Sequence, residues 1–573
     1  MPKLSRIHLL AFAAALLAFI PAAQALTPAD LNNAAHQSDR IQREQLQRQQ
    51  EDIDRAIETG RPQTTIEAPS PQVQHGKGSG CRLITRIELK DTVHMSKAEM
   101  ESLVSSYAGR CLGVDDIQNL LSAITAFYVK KGFVTTRVYL PAQDLTKGTL
   151  QIKVVEGRVS DIRLDNGTGI DHLCNIFPND IGEDLNLRDY EQGIDQLNRL
   201  LSNNTTMDIQ PGANPGESIV IIKNKPTKFW HMSFTADDYG TRSTGRNQAG
   251  VTASFDNLTS LNDFLSVTQR KTVPFGDGLK DSNATTALWS IPYGYATFTT
   301  GVTWSAYDST VPTASGNRLH LEGETRDVYA TLERVVYRDQ FGKATVNATL
   351  TNDVTDTFID DQKIGVSSRT LTWLQLGANY NTVLWGGTAN LGVGYYRGLN
   401  LFHALNDPDG LPGFVPRAQF TKYTLSAGYS RPFAAVGQKW LASTQFNGQY
   451  APTTLYGSQQ FSVGGIYTVR GFFEEQLAND HGYFLRNDLT LLKSYTIWGH
   501  PVGFRPFAAF DFGSVGSDNA AGTAAGTLGG AALGFDLSSG PLDFNIYTGY
   551  PLFYPDSVTN ERFNTFARLT LTF

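Results

Sequence analysis

The chain has 573 residues, of which 18% are charged and 11% aromatic, and its net charge at pH 7 is −7. The length predicts more than one domain, and the lack of any block of basic residues argues against binding to nucleic acid. A mean hydropathy of −0.25 is typical of a soluble protein, yet a membrane barrel with alternating apolar and polar residues gives a similar average.

The amino-terminal residues have the pattern of a secretory signal peptide. Lys3 and Arg6 supply positive charge, Leu9 to Ile20 form an apolar core, and residues 23–25 match a small-residue cleavage site. The apolar core is shorter than the ~20 residues that a helix needs to span a bilayer. We therefore expect an exported protein that begins near Leu26 and has no transmembrane helix.

The next stretch predicts one long, polar helix. Thr27 is expected to cap it and Pro28 to occupy its first turn, and neither glycine nor a second proline follows before Glu58. A helix of this length is a rod of roughly 47 Å. Its apolar residues are too sparse to face a core, so it stands either in solvent, as a frayed periplasmic segment, or in a water-filled space. Residues 59–80 are expected to be a flexible linker.

Residues 81–225 repeat one pattern twice: a strand, two helices and two strands. The helices are predicted at 96–107 and 114–131 in the first copy, and at 170–177 and 187–201 in the second. This tandem repeat resembles the POTRA (polypeptide-transport-associated) domain. The resemblance implies periplasmic modules whose exposed sheet edges accept an extended client strand. The alternative is a rigid platform without a client.

Three cysteines, Cys81, Cys111 and Cys174, allow three pairings. Cys81 and Cys111 bracket the first strand and helix of the first module, and an oxidising periplasm favours a disulfide between them. Cys174 lies on a predicted helix face with apolar neighbours, and we expect it to be a buried free thiol. No His or Cys cluster has metal-ligand spacing, and no nucleophile–base pair or phosphate-binding loop stands out. We therefore expect no metal, no cofactor and no catalytic residues.

From residue 226 to the end, strand-like segments follow one another. Apolar and polar residues alternate cleanly, for example over 344–351 and 423–430. We count about sixteen segments, the sixth beginning near residue 326, and bacterial outer-membrane barrels have an even number of strands. Short links alternate with long ones, as periplasmic turns and external loops do in such barrels. A soluble β-sandwich would not explain this alternation.

The long sixth external loop, residues 452–481, contains Val469-Arg470-Gly471-Phe472. On its own, such an arginine is an ordinary exposed loop charge. A Val-Arg-Gly-Phe motif in this loop, followed by an x-Asp-x-Gly strand, resembles the outer-membrane transporters of two-partner secretion, the TpsB family. The signal peptide, helix, linker, paired modules and strands also match that family in order, so the resemblance covers essentially the whole chain.

The resemblance implies that the sixth loop folds back into the barrel and that its arginine meets the aspartate of the strand motif. By position, Arg470 is expected to pair with Asp511, which strand parity directs into the lumen, and Gly513 matches the motif glycine. Ala509 departs from the Phe or Gly of the family, which affects packing against the loop. We expect the pair to specify one loop position. The alternative is two unrelated charges in a wet lumen.

The predicted fold is thus a transmembrane β-barrel of about sixteen antiparallel strands, preceded by two small α/β POTRA domains and a plug helix. The expected divisions are the signal peptide 1–25, the plug helix 26–58, the linker 59–80, the POTRA domains 81–157 and 158–225, and the barrel 226–573.

The resemblance implies an outer-membrane pore, not an enzyme. Its POTRA domains, in the periplasm, would recognise the secretion domain of a large TpsA-like exoprotein, such as an adhesin, a haemolysin or a contact-dependent toxin. The pore would export this partner unfolded and without ATP. We expect a monomeric pore in contact with outer-membrane lipid. The alternatives are an assembly insertase of the same superfamily, which typically has more POTRA modules, and a plugged diffusion porin, which has no obvious use for such modules.

Overall fold

The computed structural model describes residues 28–58, 80–165, 173–178, 180–274, 280–312, 318–473, 477–516, 525–558 and 562–573. The predicted signal peptide and all but the last residue of the predicted linker lie outside these ranges. Among the helices of the described residues, none combines the length and apolar character needed to cross a bilayer.

Helix α1 spans Pro28–Glu58, as predicted from the capping pattern and the lack of helix breakers. Ala34 and Ile41 of this helix are buried against Tyr307, Leu321 and Ile359 of the barrel strands. The helix therefore lies inside the barrel and not beside it, which decides between the two environments that its polarity allows.

The first module packs α3 against a three-stranded sheet of order β2-β5-β4. Leu120, Ile124 and Tyr128 of α3 and Leu150 and Ile152 of β5 form its buried core. The predicted first strand is divided, because β1 turns away to pair with β3. The elements are β1 Arg82–Ile84, β2 Arg86–Lys90, α2 Lys97–Val104, β3 Arg110–Leu112, α3 Val114–Lys130, β4 Arg137–Tyr139 and β5 Thr149–Val155.

Among its described residues, the second module has one helix over a sheet of order β6-β8-β7. Its elements are β6 Arg158–Leu164, α4 Leu187–Asn198, β7 Thr205–Pro211 and β8 Glu217–Asn224.

The short helix predicted at 170–177 is wrong over its described part, because residues 173–178 form a turn. In this turn Asn175 donates hydrogen bonds to the Leu261 carbonyl at 2.6 Å and to the Pro292 carbonyl at 3.2 Å. Ile176 and Phe177 take the buried positions of the module. Cys174 is consequently free but exposed, which corrects the expectation of a buried thiol.

Within the described residues, sixteen long antiparallel strands form a closed barrel, which confirms the predicted fold. The barrel closes where β27 pairs with β9, with Arg568 opposite Asp237. Two-residue β16 (Gln362–Lys363) extends one external loop. The long strands are β9 Trp230–Asp237, β10 Gln248–Asp256, β11 Phe264–Thr272, β12 Asp281–Tyr293, β13 Ala296–Pro312, β14 Arg318–Arg338, β15 Gly342–Ile359, β17 Arg369–Leu384, β18 Gly387–Leu399, β19 Thr421–Ala435, β20 Gln438–Tyr450, β23 His481–Ile497, β24 His500–Gly516, β25 Gly526–Ser539, β26 Leu542–Phe553 and β27 Asn564–Thr572. Short strands β21 Phe461–Val463 and β22 Leu477–Asn479 pair within the sixth loop.

Candidate functional site in the barrel lumen

Polar side chains of α1 bind the lumenal wall along the helix. Ser38 shares a hydrogen bond of 3.1 Å with the Thr357 hydroxyl, and the Gln42 amide donates to the Thr355 hydroxyl at 2.6 Å. Because both surfaces are mostly polar, hydrogen bonds line most of the contact between helix and lumen, and the apolar contact is limited to small clusters such as the one around Ala34 and Ile41. Further contacts with the wall are Gln37–Ser309 and Gln45–Ser282, and Gln47 donates to Ser462 of the sixth loop.

Two ion pairs add to these contacts. Asp39 pairs with Arg369 of β17, and Glu51 pairs with Arg568 of β27 at 2.7 Å. Arg568 also contacts Asp237 of β9 at 3.2 Å. Partly buried ion pairs contribute little net stability, since desolvation opposes the attraction, but they fix one position of the partners.

The described parts of the sixth loop, residues 451–473 and 477–480, lie in the lumen beside α1. The side chains of Val469 and Phe472 are fully buried with Val463 and Leu528, so the loop is anchored by an apolar core as well as by charge. Gly471 has a φ of +114°, which favours glycine over any other residue.

Arg470 meets Asp511 through a bidentate contact. Its Nε donates to Oδ2 at 2.6 Å and its Nη2 to Oδ1 at 2.8 Å, while its backbone N–H donates to Oδ2 at 3.1 Å. The other terminal nitrogen donates to Asp488 at 2.7 Å. The side chain of Arg470 is 4% exposed and that of Asp511 is fully buried. The guanidinium fork is therefore matched to two carboxylates, which a lysine cannot reproduce.

Two glycines on neighbouring strands leave room for the backbone at Arg470. A Cβ on Gly530 of β25 would overlap the Arg470 carbonyl oxygen, and a Cβ on Gly549 of β26 would lie 2.6 Å from the Gly471 nitrogen. We call Gly530 and Gly549 the glycine slot. Gly513 serves the loop in a similar way, since a Cβ there would come within 2.9 Å of Val463.

The small side chain of Ala509 gives the loop space. Ala509 is 8% exposed and belongs to a buried cluster with Phe473, Tyr547 and Phe566. The volume that a larger residue would occupy at this position is thus taken by aromatic side chains, including one from the loop itself.

Two functional residues were missed by the sequence reasoning. Asp488 gives Arg470 a second carboxylate, and Arg486 donates to the backbone carbonyls of Ile466 and Tyr467. Both charged residues sit on β23 two positions apart, so both face the same side of the sheet. Arg486 and Asp488 face the same side of the β23–β24 pair as Asp511. This alternation along β23 is the sequence pattern that could have indicated them.

The first module is cross-linked by a disulfide between Cys81 and Cys111, whose Cα atoms lie 5.3 Å apart. The bond joins the residue just before β1 to the middle of β3, beside their antiparallel pairing. It therefore reinforces the two-stranded extension of the module.

Helix α4 fixes the second module to the periplasmic turns of the barrel. Asp195 accepts hydrogen bonds from Arg338 at 2.6 Å and from Lys343 at 3.3 Å, on either side of the β14–β15 turn. Gln196 donates to the Gly294 carbonyl of the β12–β13 turn at 3.2 Å. The module is thus docked through buried charged and polar contacts.

Comparisons with known families agree with this architecture. The sequence model of the haemolysin secretion/activation proteins ShlB/FhaC/HecB matches residues 216–537. A ShlB-type POTRA model matches residues 83–157, and a second POTRA model matches residues 158–211.

Individual relatives cover most of the chain. The outer membrane transporter CdiB of Escherichia coli is 32% identical over 97% of this chain and 92% of its own length. The hemolysin transporter protein ShlB of Serratia marcescens is 30% identical over 73% of each chain. The solved structure of CdiB from Escherichia coli is similar with a TM-score of 0.82 and 30% identity, over 96% of this chain and all of the other. The chain therefore belongs to the ShlB/FhaC/HecB family, the outer-membrane TpsB transporters of two-partner secretion.

Proposed function

We propose that this outer-membrane pore exports one large, unfolded exoprotein without ATP, and that α1 vacates the lumen during transport. The observation that carries the proposal is the polar helix seated in the lumen by hydrogen bonds such as Gln42–Thr355. Water replaces such contacts at low net cost, because folding and binding exchange hydrogen bonds with solvent for hydrogen bonds within the protein. A helix held in this way can leave without exposing a large apolar face.

The periplasmic modules are proposed to capture the amino-terminal secretion domain of the client. Each module presents sheet edges, β2 and β4 in the first and β6 and β7 in the second. A strand at a sheet edge carries backbone groups that an extended peptide can pair with. We place the functional divisions at 81–157 and 158–225 for the modules and 226–573 for the barrel.

The Arg470–Asp511 contact is proposed to hold the sixth loop in one position while the client passes. A monomer suffices for this mechanism, since one chain closes its own barrel. Outward-facing apolar residues of the strands, such as Leu332 and Leu533, are exposed and are proposed to contact outer-membrane lipid.

Deletion of residues 27–58 tests the plug. We expect the purified deletion variant to show a higher conductance in planar bilayers than the full chain. His36 is exposed on α1, so His36→Ala is the matched control and should behave as the full chain does. Equal conductance of the deletion variant and the full chain would contradict the plug role.

Export is tested by co-expression with a large TpsA-like exoprotein. We expect the exoprotein at the cell surface or in the medium only when the pore is present. Retention in the periplasm despite a correctly assembled barrel would contradict the proposed export function.

A further inference from the structure

Three side chains converge where the two periplasmic modules meet. His94 follows β2, Glu156 ends the first module after β5, and Asp184 precedes α4 of the second module. The Nε2 atom of His94 lies 2.9 Å from Asp184 Oδ2 and 3.7 Å from Glu156 Oε2. One imidazole nitrogen thus faces two carboxylate oxygens, one from each module.

The Glu156 carboxylate is buried with one oxygen unsatisfied. Its side chain is only 5% exposed. Oε1 accepts hydrogen bonds from the backbone N–H groups of Val93 and His94 and from the Tyr128 hydroxyl. Oε2, which points toward His94, receives no hydrogen bond. A buried carboxylate oxygen without a donor is costly, and a cation is a partner that satisfies it.

We propose that His94, Glu156 and Asp184 bind a divalent transition-metal ion such as Zn²⁺. A tetrahedral zinc ion with ligands at about 2.0–2.2 Å places neighbouring ligand atoms roughly 3.3–3.6 Å apart. The two nitrogen–oxygen distances of 2.9 and 3.7 Å lie on either side of that value. An imidazole with two carboxylates suits zinc better than calcium or magnesium, which prefer oxygen ligands alone.

Neighbouring groups orient the three ligands. Arg158 donates to Asp184 Oδ1 at 3.1 Å. Asp184 Oδ2 shares a hydrogen bond of 2.9 Å with His94 Nε2, and the metal ion would replace this contact. The His94 ring stacks on Phe133 with the ring centroids 4.1 Å apart. Burial and the hydrogen bond to Glu156 raise the pKa of Tyr128, so its hydroxyl keeps the proton that it donates. Such supporting contacts are typical of metal ligands.

A second group of histidine and carboxylates in the described ranges lacks this geometry. Asp308, His320 and Glu322 lie close together, but Glu322 faces Nδ1 of His320 at 2.9 Å and Asp308 faces Nε2 at 3.4 Å. The two carboxylates thus make their shortest contacts with different nitrogens of this ring, whereas Glu156 and Asp184 both face one nitrogen of His94. This group is therefore a matched control.

The test is a Zn²⁺ titration of the full chain, purified in detergent and stripped of metal, against a chromophoric chelator. We expect one Zn²⁺ per chain, with affinity at least tenfold weaker in His94→Gln and in Asp184→Asn. His320→Gln should bind as the unaltered chain does. Asp184→Asn keeps the oxygen that Arg158 uses, so its folding is expected to be preserved, and X-ray absorption should report one nitrogen and two carboxylate ligands. The proposal would be overturned if the unaltered chain bound no stoichiometric Zn²⁺. It would also be overturned if both ligand variants bound Zn²⁺ as tightly as the unaltered chain.

Discussion

Glu51 and Arg568 form an ion pair of 2.7 Å across 517 residues of sequence. The pair joins α1 to β27, the strand that closes the barrel against β9. Arg568 also contacts Asp237, its partner in the register of that closure. The helix in the lumen is thus tied to the junction between the first and last strands, and its departure would leave Arg568 with Asp237.

Loss of the helix ion pairs should favour the open pore. Glu51→Gln removes one partner of Arg568 while keeping the side-chain size, and a partly exposed ion pair contributes about 1 kcal/mol at most. We expect the open population in planar bilayers to rise by up to roughly fivefold. His36→Ala should leave it unchanged, and an unchanged population in Glu51→Gln would show that the pair does not hold the helix.

Replacement of Arg470 should block export while the barrel still assembles. Arg470→Ala leaves Asp511 buried without its charged partner, a change that typically costs about 3–5 kcal/mol. Arg470→Lys should give an intermediate loss, since it restores charge but not the bidentate fork. Secretion of the exoprotein is measured, with heat-modifiable migration of the barrel as the assembly check. Arg505 is exposed on the strand that carries Asp511, so Arg505→Ala is the control; normal export by Arg470→Ala would contradict the anchor role.

Filling the glycine slot with a larger residue should also displace the sixth loop. Gly530→Ala adds one methyl group where the Arg470 carbonyl oxygen lies, so it should displace the loop without changing any charge. We expect greater protease cleavage within 451–480 and reduced secretion. Gly365 has open space around it, so Gly365→Ala should change neither the protease cleavage of the loop nor secretion. If Gly530→Ala leaves loop protection unchanged, the close approach does not position the loop.

The second module should become less stable as the pH rises through about 6. Burial, reinforced by the charges of Asp189 and Glu183, raises the pKa of Asp180 to about 6. The folded module therefore favours the protonated carboxyl. This preference contributes stability that is fully present below about pH 4 and is lost as the pH rises through about 6. Asp180→Asn should raise the thermal unfolding temperature of the full chain above pH 6, with little difference near pH 4.

Asp208 of the second module is the control for Asp180, because its pKa shifts in the opposite direction. A hydrogen bond from Gln210, followed by one from Lys223, lowers its pKa, so the folded state favours its charged form. Asp208→Asn should therefore give no stabilisation above pH 6. An identical unfolding temperature for Asp180→Asn and the unaltered chain at pH 7.5 would show that the buried carboxyl does not limit stability.

Alternation of apolar and polar residues was sufficient to predict most of the barrel. Strands β17 and β20 begin at Arg369 and Gln438, where the pattern places them. Strand β14 begins at Arg318, eight residues before its predicted start. In this extension, His320 and Glu322 alternate with the buried residues and face outward. The outward face is therefore charged, and the expected alternation of apolar and polar residues is absent.

Contacts between distant segments explain what the sequence could not predict. Arg470 and Asp511 were matched through a family motif, whereas Asp488 carries no motif and was found only through the geometry of β23. His94, Glu156 and Asp184 have no local spacing that indicates a metal site. The fold alone brings them together, because the end of the first module meets the start of α4.

The docking of α4 has a consequence for the path of a client. Asp195 and Gln196 hold the second module against turns between β12 and β15, whereas the Arg470 loop rests on β24 to β26 across the lumen. A polypeptide released from the second module would therefore enter along one wall, opposite the Arg470–Asp511 contact. The docking of α4 would thus set the side of the pore at which the client enters.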